Sequence, residues 1–423
     1  STKLREYTFD NSVITFTYHM ITMNALRSTS RFVFKTRQFP LRKTTRCINS
    51  SALIVTNDVT TTTTIINSTS STSTNKMPPK ETLQFGKTFA PHMLIISYTN
   101  NQWQNPEIVP YGPLSISPGS SCLNYGMTCF EGMKAYRSLA PDDSSLRLFR
   151  PDKNMERLSS SMERLSLPGY DFDPNELIQC IQKLIRIDQD WVPSGEGYSL
   201  YLRPNVIAMS DNLGLANPDS LLLYVVTSPV GPYYKDGFKP VRLLCESKFV
   251  RAYKGGTGNC KIGGNYAPTM KPAKEAAEKG YHQVLWLWGD EVTEVGAMNV
   301  FFVFERTNKD GTSVKEIVTP PLDRGDILPG VTRSSIIELA HGWKGYDMVE
   351  RNLTMEEVAQ AVNDGTLVEA FGAGTAAVVT PIECIQYQGK DLEIPATGKA
   401  TQRAWDELLS IQYGKMDHPW SVK

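Results

Sequence analysis

The sequence predicts an α/β (α+β) protein with two domains, a small N-terminal domain and a larger C-terminal domain, preceded by a disordered leader. A chain of 423 residues is longer than a domain with a single hydrophobic core usually is, which favours two domains. From residue 92 onward, strand-like apolar stretches alternate with amphipathic helical ones, whereas residues 1–76 are rich in Ser and Thr. We therefore expect a leader at 1–76, a small domain at 77–227, a linker at 228–240 and a large domain at 241–423.

The leader contains only three acidic residues, Glu6, Asp10 and Asp58, and its composition cannot supply a buried core. Its stretch Met23–Arg46 spaces arginines among apolar residues with no acid between them, which is typical of an organellar transit peptide. We expect delivery to the mitochondrial matrix, with a plastid or the cytosol as alternatives. A disordered tail without a targeting function is the other interpretation of this composition.

The small domain should contain strands and two amphipathic helices. The stretch His92–Tyr98 alternates in polarity, as a strand with one buried face does. Apolar residues recur at helical spacing in Asp152–Leu165 and in Asn175–Ile187, which predicts two helices that pack on a core. Residues 220–226, SLLLYVV, predict a buried strand, and the Pro- and Gly-containing segment that follows predicts the linker.

The large domain should alternate strands with helices. Apolar stretches predict strands at 241–246, 282–288, 300–305 and 316–321. Amphipathic stretches predict helices at Met270–Lys279, Thr332–Gly342, Met355–Asn363 and Thr397–Gln412. Thr354 and Glu357 have the spacing of a capping box at the start of the third of these helices.

The charge and cysteine patterns argue against several classes of protein. The 44 basic and 44 acidic residues give no net charge and no reason to expect a nucleic-acid partner. No run of about 18 apolar residues predicts a membrane span. The seven cysteines contain no CxxC pair and the five histidines are scattered, which argues against a disulfide framework and against a bound metal. We expect a protein that acts on small molecules.

Lys261 lies in a glycine-rich stretch, Arg251–Met270, whose glycines allow a ligand to approach the backbone closely. It is our candidate nucleophile. A phosphate-binding P-loop is excluded, because Cys260 and Ile262 stand where that motif needs Gly and Ser or Thr. A surface turn with a solvated lysine is the alternative that the local pattern leaves open.

Further motifs occur in order along the chain. They are FEGMKAY (130–136), LRLFRPDKNMERL (146–158), SLYLRPNVI (199–207), SPVGPYY (228–234), VLWLWGDEVTEVGAMN (284–299), ILPGVTR (327–333) and FGAGTA (371–376). From about residue 85 to the C-terminus, the chain resembles the branched-chain amino acid aminotransferases, pyridoxal-phosphate (PLP) enzymes of fold type IV. The resemblance implies amino transfer from L-Leu, L-Ile or L-Val to 2-oxoglutarate by a ping-pong mechanism, and a homodimer.

The resemblance also assigns residues to the cofactor. Lys261 would hold PLP covalently and move protons as general base and acid. Glu294 would keep the pyridine nitrogen protonated, and Tyr266 would hydrogen-bond the phenolic oxygen.

A cation and a helix start would bind the phosphate of PLP, since both are suited to an anion. The cation would be Arg150, at a junction between a predicted strand and helix, and the amides would be those of Val331 and Thr332. Thr375 would add a hydroxyl group. Read alone, GAGTAA (372–377) is similar to a dinucleotide fingerprint, but no acid at the usual distance supports that interpretation.

The substrate side would be an apolar and aromatic wall with one cation. The amide of Ala376 would bind the α-carboxylate. The wall would consist of Phe89, Tyr125, Phe130, Tyr201, Arg203 and Tyr233. We expect Arg203, with Tyr125 beside it, to meet the side-chain carboxylate of glutamate, which would otherwise be buried unpaired. A structural arginine that ties down a loop is the alternative.

Two positions depart from the family pattern. Ala297 stands where close relatives have Thr, which removes a hydroxyl group near the substrate. Ala377 and Thr380 stand where some relatives have a CxxC redox switch, so we expect no such switch. The alternative functions are a D-amino acid aminotransferase or an aminodeoxychorismate lyase of the same fold, and a non-catalytic PLP-binding protein.

Overall fold

The computed structural model describes residues 76–232, 238–307, 311–395 and 398–423, and before them only the backbone of strands Glu6–Phe9, Ser12–Thr15 and Thr64–Ile65. The chain divides into two compact units, Ser1–Asn49 and Ser50–Lys423, and everything below concerns the second. The predicted leader and its transit peptide lie almost entirely outside the described residues. They stay predictions.

The first sheet is built mainly from the chain before residue 231. Its strands are β1 (His92–Thr99), β2 (Gln102–Trp103), β3 (Glu107–Pro110), β4 (Thr128–Phe130), β5 (Met133–Arg137), β6 (Leu146–Phe149), β7 (Ser199–Ala208) and β8 (Leu221–Val230). The last of these strands, β18 (Ser421–Val422), joins them at one edge, and the order is β18-β6-β5-β7-β8-β1-β3, followed by Thr64–Ile65. Thr64–Ile65 pairs in parallel with β3, the other pairings in this order are antiparallel, and the predicted strands at 92–98 and 220–226 are confirmed.

Helices cover this sheet and close the first core. They are α1 (Ser121–Tyr125), α2 (Pro151–Arg164) and α3 (Pro174–Ile187), with short 3₁₀ turns at Lys80–Thr82 and Gln189–Trp191. Leu158 of α2 and Leu184 of α3 belong to the buried cluster beneath the sheet. Asp173 caps α3 by accepting a hydrogen bond from the amide of Asn175 at 2.7 Å. The two helices predicted for this part of the chain are confirmed to within one residue at each end.

The second sheet closes on itself. Its strands are β9 (Val241–Glu246), β10 (Gln283–Trp288), β11 (Glu291–Val295), β12 (Met298–Thr307), β13 (Ser313–Thr319), β14 (Tyr346–Glu350), β15 (Leu367–Gly374), β16 (Val378–Tyr387) and β17 (Lys390–Glu393). The order is β11-β10-β9-β16-β15-β12-β13-β14, and an additional pairing of β11 with β12 completes a ring of six strands. Strand β9 is parallel to both of its neighbours.

Helices pack on the outside and at the ends of this ring. They are α4 (Met270–Glu278), α5 (Val331–Ala340), α6 (Met355–Asn363) and α7 (Lys399–Gln412), with 3₁₀ turns at Gly263–Asn265 and Ala267–Thr269. Ile336 of α5 and Leu408 of α7 pack with Phe301 and Phe371. One of the two hydrogen bonds of the predicted capping box is confirmed, because Thr354 Oγ1 accepts a hydrogen bond from the amide of Glu357 at 3.2 Å.

Strand β8 continues to Val230, three residues into the predicted linker, and residues 233–237 lie outside the described part of the chain. The division into two domains stays a prediction. The longest helices among the described residues have 14 residues, and none there is long and apolar enough to cross a bilayer.

Candidate active site

A cleft of about 370 Å³ lies where the first sheet, the Lys261 segment and the start of α5 meet. It brings together nine of the residues predicted from the sequence: Phe130, Tyr201, Arg203, Lys261, Tyr266, Val331, Thr332, Thr375 and Ala376. Residues separated by up to 246 positions in the chain thus share one cavity.

Hydrogen bonds fix the backbone of Lys261, and the contacts of its amine orient the side chain. Its amide donates a hydrogen bond to Ser161 Oγ at 2.9 Å, and its carbonyl accepts one from the amide of Phe130 at 3.0 Å. Lys261 Nζ donates to the hydroxyl of Tyr266 at 3.1 Å and lies 5.0 Å from the ring centre of Phe130. The aromatic rings on two sides keep the amine in one place.

Tyr266 has an unusual electrostatic environment. Burial alone would raise the pKa of Tyr266, but the charges of Lys261 and Arg251 outweigh burial, so that its pKa lies below the ordinary value. A phenol of lowered pKa donates hydrogen bonds well and releases its proton more readily. The hydroxyl is therefore suited to a partner that exchanges protons with Lys261.

Glu294 lies behind the cleft and does not line it. The carboxylate on β11 is 1% exposed, forms an ion pair with Arg251 and accepts a hydrogen bond from Asn299 Nδ2 at 3.1 Å. Burial raises the pKa of Glu294 to about 7, although Arg251 and a backbone hydrogen bond from Leu328 act in the opposite direction. Asn299 does line the cleft, and the sequence analysis did not single it out.

The start of α5 is an open anion site. Gly330 is its N-cap, no side chain caps the helix, and its first turn contains no acid. Arg157, from α2, lines the cleft beside Val331 and Thr332 and donates to the carbonyl of Pro329 at 2.9 Å. Free amides at a helix start and a neighbouring guanidinium favour an anion such as a phosphate.

Arg157 is oriented by a buried acid. Its Nε and Nη2 donate to the two oxygens of Glu131 at 2.8 and 2.7 Å, and Glu131 is fully buried. This two-point contact fixes the plane of the guanidinium and leaves its remaining nitrogen, Nη1, directed toward the segment before α5.

Arg150 does not line the cleft, contrary to its predicted place beside the phosphate. Its Nη1 donates to Ser335 Oγ at 3.1 Å, its Nη2 forms an ion pair with Glu338 at 2.8 Å, and its guanidinium lies 4.3 Å from the ring centre of Trp420. The arginine that lines the cleft beside the start of α5 is Arg157, seven residues later. Arg150 directly precedes α2 and has a left-handed backbone, whereas Arg157 lies within the helix, and the sequence analysis chose the first of the two.

The substrate wall is partly as predicted. Arg203 Nη2 donates to the Tyr201 hydroxyl at 3.0 Å, and the guanidinium lies 4.8 Å from the ring centre of Phe130. Its buried Nε has no protein partner among the described residues. Phe89 lines an adjoining cavity of about 460 Å³, which also contacts Tyr201 and Arg203.

Two predicted wall residues are not placed in the cleft. Tyr125 is 43% exposed and donates its hydroxyl proton to the carbonyl of Leu213. It is not among the residues that line the cleft, nor does it contact Arg203, its predicted partner, in any hydrogen bond of the described chain. Tyr233 lies outside the described residues.

The turn between β15 and β16 forms the far wall. Gly374 pairs with Val378, so the loop consists of Thr375, Ala376 and Ala377. Val378 has a φ of 64°, which is rare for a β-branched residue. Lys134 Nζ donates to the carbonyl of Ala376 at 2.7 Å and connects the turn to the first sheet, and burial lowers the pKa of Lys134 to about 8. The sequence analysis did not identify this lysine.

The donor set of the cleft fits PLP. Lys261 offers an amine in the cleft, Arg157 and the start of α5 offer an anion site in its wall, and Glu294 lies buried behind Asn299, which lines it. Gly330 leaves the first amides of α5 uncovered. PLP has an aldehyde that reacts with an amine, a phosphate that needs an anion site and a ring nitrogen that needs a carboxylate.

Comparisons with known proteins agree with this fit. The family model of the amino-transferase class IV matches residues 128–385. The mitochondrial branched-chain-amino-acid aminotransferase of Schizosaccharomyces pombe is 50% identical over 359 residues, which cover 82% of each chain. The cytosolic branched-chain-amino-acid aminotransferase of Mus musculus is 45% identical over 353 residues, covering 82% of this chain and 89% of that protein.

A solved structure has the same fold. It is the branched-chain amino acid aminotransferase from T.th. complexed with N-(5'-phosphopyridoxyl)-L-glutamate, with a TM-score of 0.60 and 26% identity over 78% of this chain and 97% of that chain. The matched range of the family model includes the cleft residues from Phe130 to Ala376. The chain therefore belongs to the amino-transferase class IV family, and within it to the branched-chain-amino-acid aminotransferases.

Proposed function

We propose that this protein transfers the amino group of L-leucine, L-isoleucine or L-valine to 2-oxoglutarate in two half-reactions, with PLP as its cofactor. The single observation that carries the proposal is the cleft in which Lys261 and Tyr266 face an anion site formed by Arg157 and the start of α5. An amine, a phenol and a phosphate site in one cavity are the parts that this chemistry needs.

The chain would hold the cofactor at two places. Arg157, the amides of Val331 and Thr332 and the hydroxyl of Thr375 would bind the phosphate, with Arg157 in the role first expected of Arg150. Glu294 would keep a proton on the ring nitrogen, since the charge of Arg251 and that of a protonated ring both favour the charged carboxylate. When bound, PLP supplies an electron sink for the bond that breaks at substrate Cα.

Lys261 moves the protons. In its neutral form, Lys261 Nζ accepts the Cα proton of the incoming amino acid, and in the second half-reaction it returns a proton to Cα of the product. Tyr266, at 3.1 Å from Nζ, exchanges a hydrogen bond with the amine as its charge changes. The rings of Phe130 and Tyr266 keep bulk water from that proton.

The far wall orients the substrate. The amide of Ala376 binds the α-carboxylate, and Lys134 holds the turn that presents this amide. Phe130 and Tyr201 receive a branched side chain. Arg203, whose buried Nε lacks a protein partner in the described chain, meets the side-chain carboxylate of glutamate.

The working enzyme is a homodimer. Leu213 and Leu215 are 73% and 77% exposed and lie in the loop that accepts the hydrogen bond of Tyr125. Large apolar side chains held this far out are usually covered by a partner. A second subunit that covers them also brings Tyr125 toward a substrate site, which accounts for its place outside this chain's own cleft.

The mitochondrial matrix is the proposed compartment. The arginine pattern of Met23–Arg46 supports it, and curated relatives of the chain are named for both the mitochondrion and the cytosol.

An assay with pure protein tests the proposed activity. L-Leucine with 2-oxoglutarate should give 2-oxo acid and glutamate, and L-leucine alone should change the visible spectrum of the bound cofactor. D-Alanine should do neither, which separates this activity from the D-amino acid aminotransferase of the same fold. Lys261→Ala, compared with Lys271→Ala on exposed α4, should lose about 10²- to 10⁴-fold in rate. Turnover of D-alanine but not of L-leucine would replace the proposal with that alternative.

A further inference from the structure

Arg150 is a buried cation that the cleft does not use. It is 5% exposed and caps the N-terminus of α2 with a φ of 46°, in the left-handed region. A residue other than glycine stays in that region only when its surroundings hold it there. The contacts of Arg150 should therefore show which parts of the structure keep its backbone in this region.

The C-terminal tail forms one side of these contacts. The amide of Arg150 donates to the carbonyl of Trp420 at 2.8 Å, and its guanidinium lies 4.3 Å from the Trp420 ring centre. The two residues that follow pair with Phe149 and Leu148 of β6. Trp420 is thus seated on Arg150 by its backbone and by its ring.

Helix α5 forms the other side. Arg150 Nη1 donates to Ser335 Oγ at 3.1 Å, and Ser335 Oγ in turn donates to the carbonyl of Val331 at 2.8 Å. Val331 is the first residue of α5 and lines the cleft. A continuous series of contacts therefore runs from Trp420 through Arg150 to the start of α5.

Helix α2 holds α5 at a second point. Arg157 donates to the carbonyl of Pro329, just before α5 begins, at 2.9 Å. Arg150 directly precedes α2 and Arg157 lies in its second turn, so the N-terminal half of α2 contacts α5 both outside the cleft and at its wall.

We propose that Arg150 and Trp420 form a clamp that positions the start of α5 against Arg157 and so builds the phosphate end of the cofactor site. Both are positioning residues, which do not line the cleft themselves. The inference rests on the proposed function, because it concerns how the PLP site of that function is assembled. A substitution in the clamp should weaken binding of the cofactor's phosphate alone, because binding of its ring depends on Lys261 and Glu294.

Ligands with and without a phosphate distinguish binding of the phosphate from binding of the ring. Cofactor-free protein is titrated with PLP and with pyridoxal, which lacks the phosphate, and inorganic phosphate is tested as a competitor of PLP. In Trp420→Ala, the Kd for PLP and the inhibition constant for phosphate should each rise about ten-fold, or about 1.4 kcal/mol. The Kd for pyridoxal should stay within about two-fold. Lys423→Ala, which removes an exposed contact to Asp143 in the same tail, is the control and should leave all three constants unchanged.

Arg150→Lys is the second variant. It keeps the charge but loses the planar fork that contacts Ser335 and Glu338 together, and it should give the same pattern if Trp420→Ala does not fold. Equal weakening of PLP and pyridoxal would show general destabilisation and overturn the clamp, as would unchanged binding of PLP. Wild-type protein that binds no PLP would overturn the proposed function itself, which distinguishes that failure from failure of the clamp.

Discussion

Glu294 makes the stability of the cofactor-free protein depend on pH. Burial raises the pKa of this carboxyl to about 7, so the folded chain keeps a proton there that the unfolded chain has already lost. Its contribution to stability is therefore present below the ordinary pKa of a glutamic acid and is lost as the pH rises through about 7. Glu294→Gln should remove this loss, and urea midpoints at pH 5, 6, 7 and 8 measure it.

The comparison is made between wild type and variant at each pH. The hydrogen bond to Asp188 raises the pKa of His92, but this histidine is present in both proteins, so its effect on the difference between them cancels. The variant should gain stability relative to wild type from pH 5 to pH 8. A constant difference between the two proteins would show that Glu294 does not titrate there.

Arg203 should separate the two amino-acid substrates. Its guanidinium is held by Tyr201 and Phe130 and retains an unused donor in the cleft wall. Because a hydrogen bond to a charged group is worth roughly 1.5–3 kcal/mol, Arg203→Gln should slow the glutamate half-reaction about ten- to a hundred-fold. The leucine half-reaction, without a side-chain charge, should change far less. Single-turnover rates with each amino acid measure both.

Arg306→Gln, on a half-exposed strand end of the second sheet, is the matched control and should leave both rates as in wild type. If Arg203→Gln slows the two half-reactions equally, then Arg203 supports the wall and does not bind the side-chain carboxylate of glutamate.

The arginines of α2 show where residue types alone are insufficient. Arg150 and Arg157 lie seven residues apart in the sequence, before and within α2, and both are suited to an anion. Which of them meets the cleft depends on where α5 begins relative to α2, and these helices are far apart in the chain. Lys261, Glu294 and Tyr266 were easier to recognise, since each lies in a motif that is continuous in the sequence. Asn299 and Lys134 were missed because their partners, Leu328 and Ala376, are distant in sequence.

At the scale of single elements, the start of α5 should tolerate no side chain at Gly330. A Cβ atom there would collide with Asn299 Oδ1. Asn299 cannot move aside cheaply, because its amide is buried between Glu294 and the carbonyl of Leu328. Gly330→Ala should therefore destabilise the protein by about 1–3 kcal/mol and weaken PLP binding. Urea unfolding and a PLP titration measure the two effects.

Gly342→Ala, after the C-terminus of the same helix, is the control: its Cβ would meet only the Leu339 carbonyl at 3.4 Å. Normal stability and PLP affinity in Gly330→Ala would contradict the tight contact with Asn299.

Local patterns predicted the elements well. Helices α2, α3 and α6 lie within about one residue of their predicted bounds, because an apolar stripe at helical spacing is a local property. The closed ring of the second sheet was not predicted, since it requires pairings such as β9 with β16 between distant segments. Nor did any local signal indicate the left-handed Val378, whose backbone is imposed by the short turn before it.

At the scale of the whole molecule, the exposed loop leucines should decide the oligomeric state. Leu213→Asp with Leu215→Asp puts two charges into the surface that the proposed partner subunit would cover, where an unpaired charge is costly. We expect the double variant to be monomeric and to have lost most of its activity. Light scattering after gel filtration gives the mass. Met416→Asp, at another exposed apolar residue, should remain as wild type, and an unchanged mass in the double variant would place the interface elsewhere.

The leader should direct the chain to mitochondria. A fluorescent reporter fused behind Met23–Lys76 should enter the organelle, since an arginine-rich stretch without acids is drawn across an energised membrane. Microscopy with a mitochondrial stain records the outcome. Replacing Arg27, Arg31 and Arg37 with Gln should leave the reporter in the cytosol, and a cytosolic wild-type fusion would refute the targeting.

The position of strand β18 has a consequence for synthesis on the ribosome. Ser421 and Val422 pair with Phe149 and Leu148, yet more than half of the chain is translated between the two strands. Because chains emerge N-terminus first and begin to fold as they emerge, β6 remains an open sheet edge until residues 421–422 have left the ribosome. A product that stops before residue 421 would carry that edge permanently, where strands from other chains can join it.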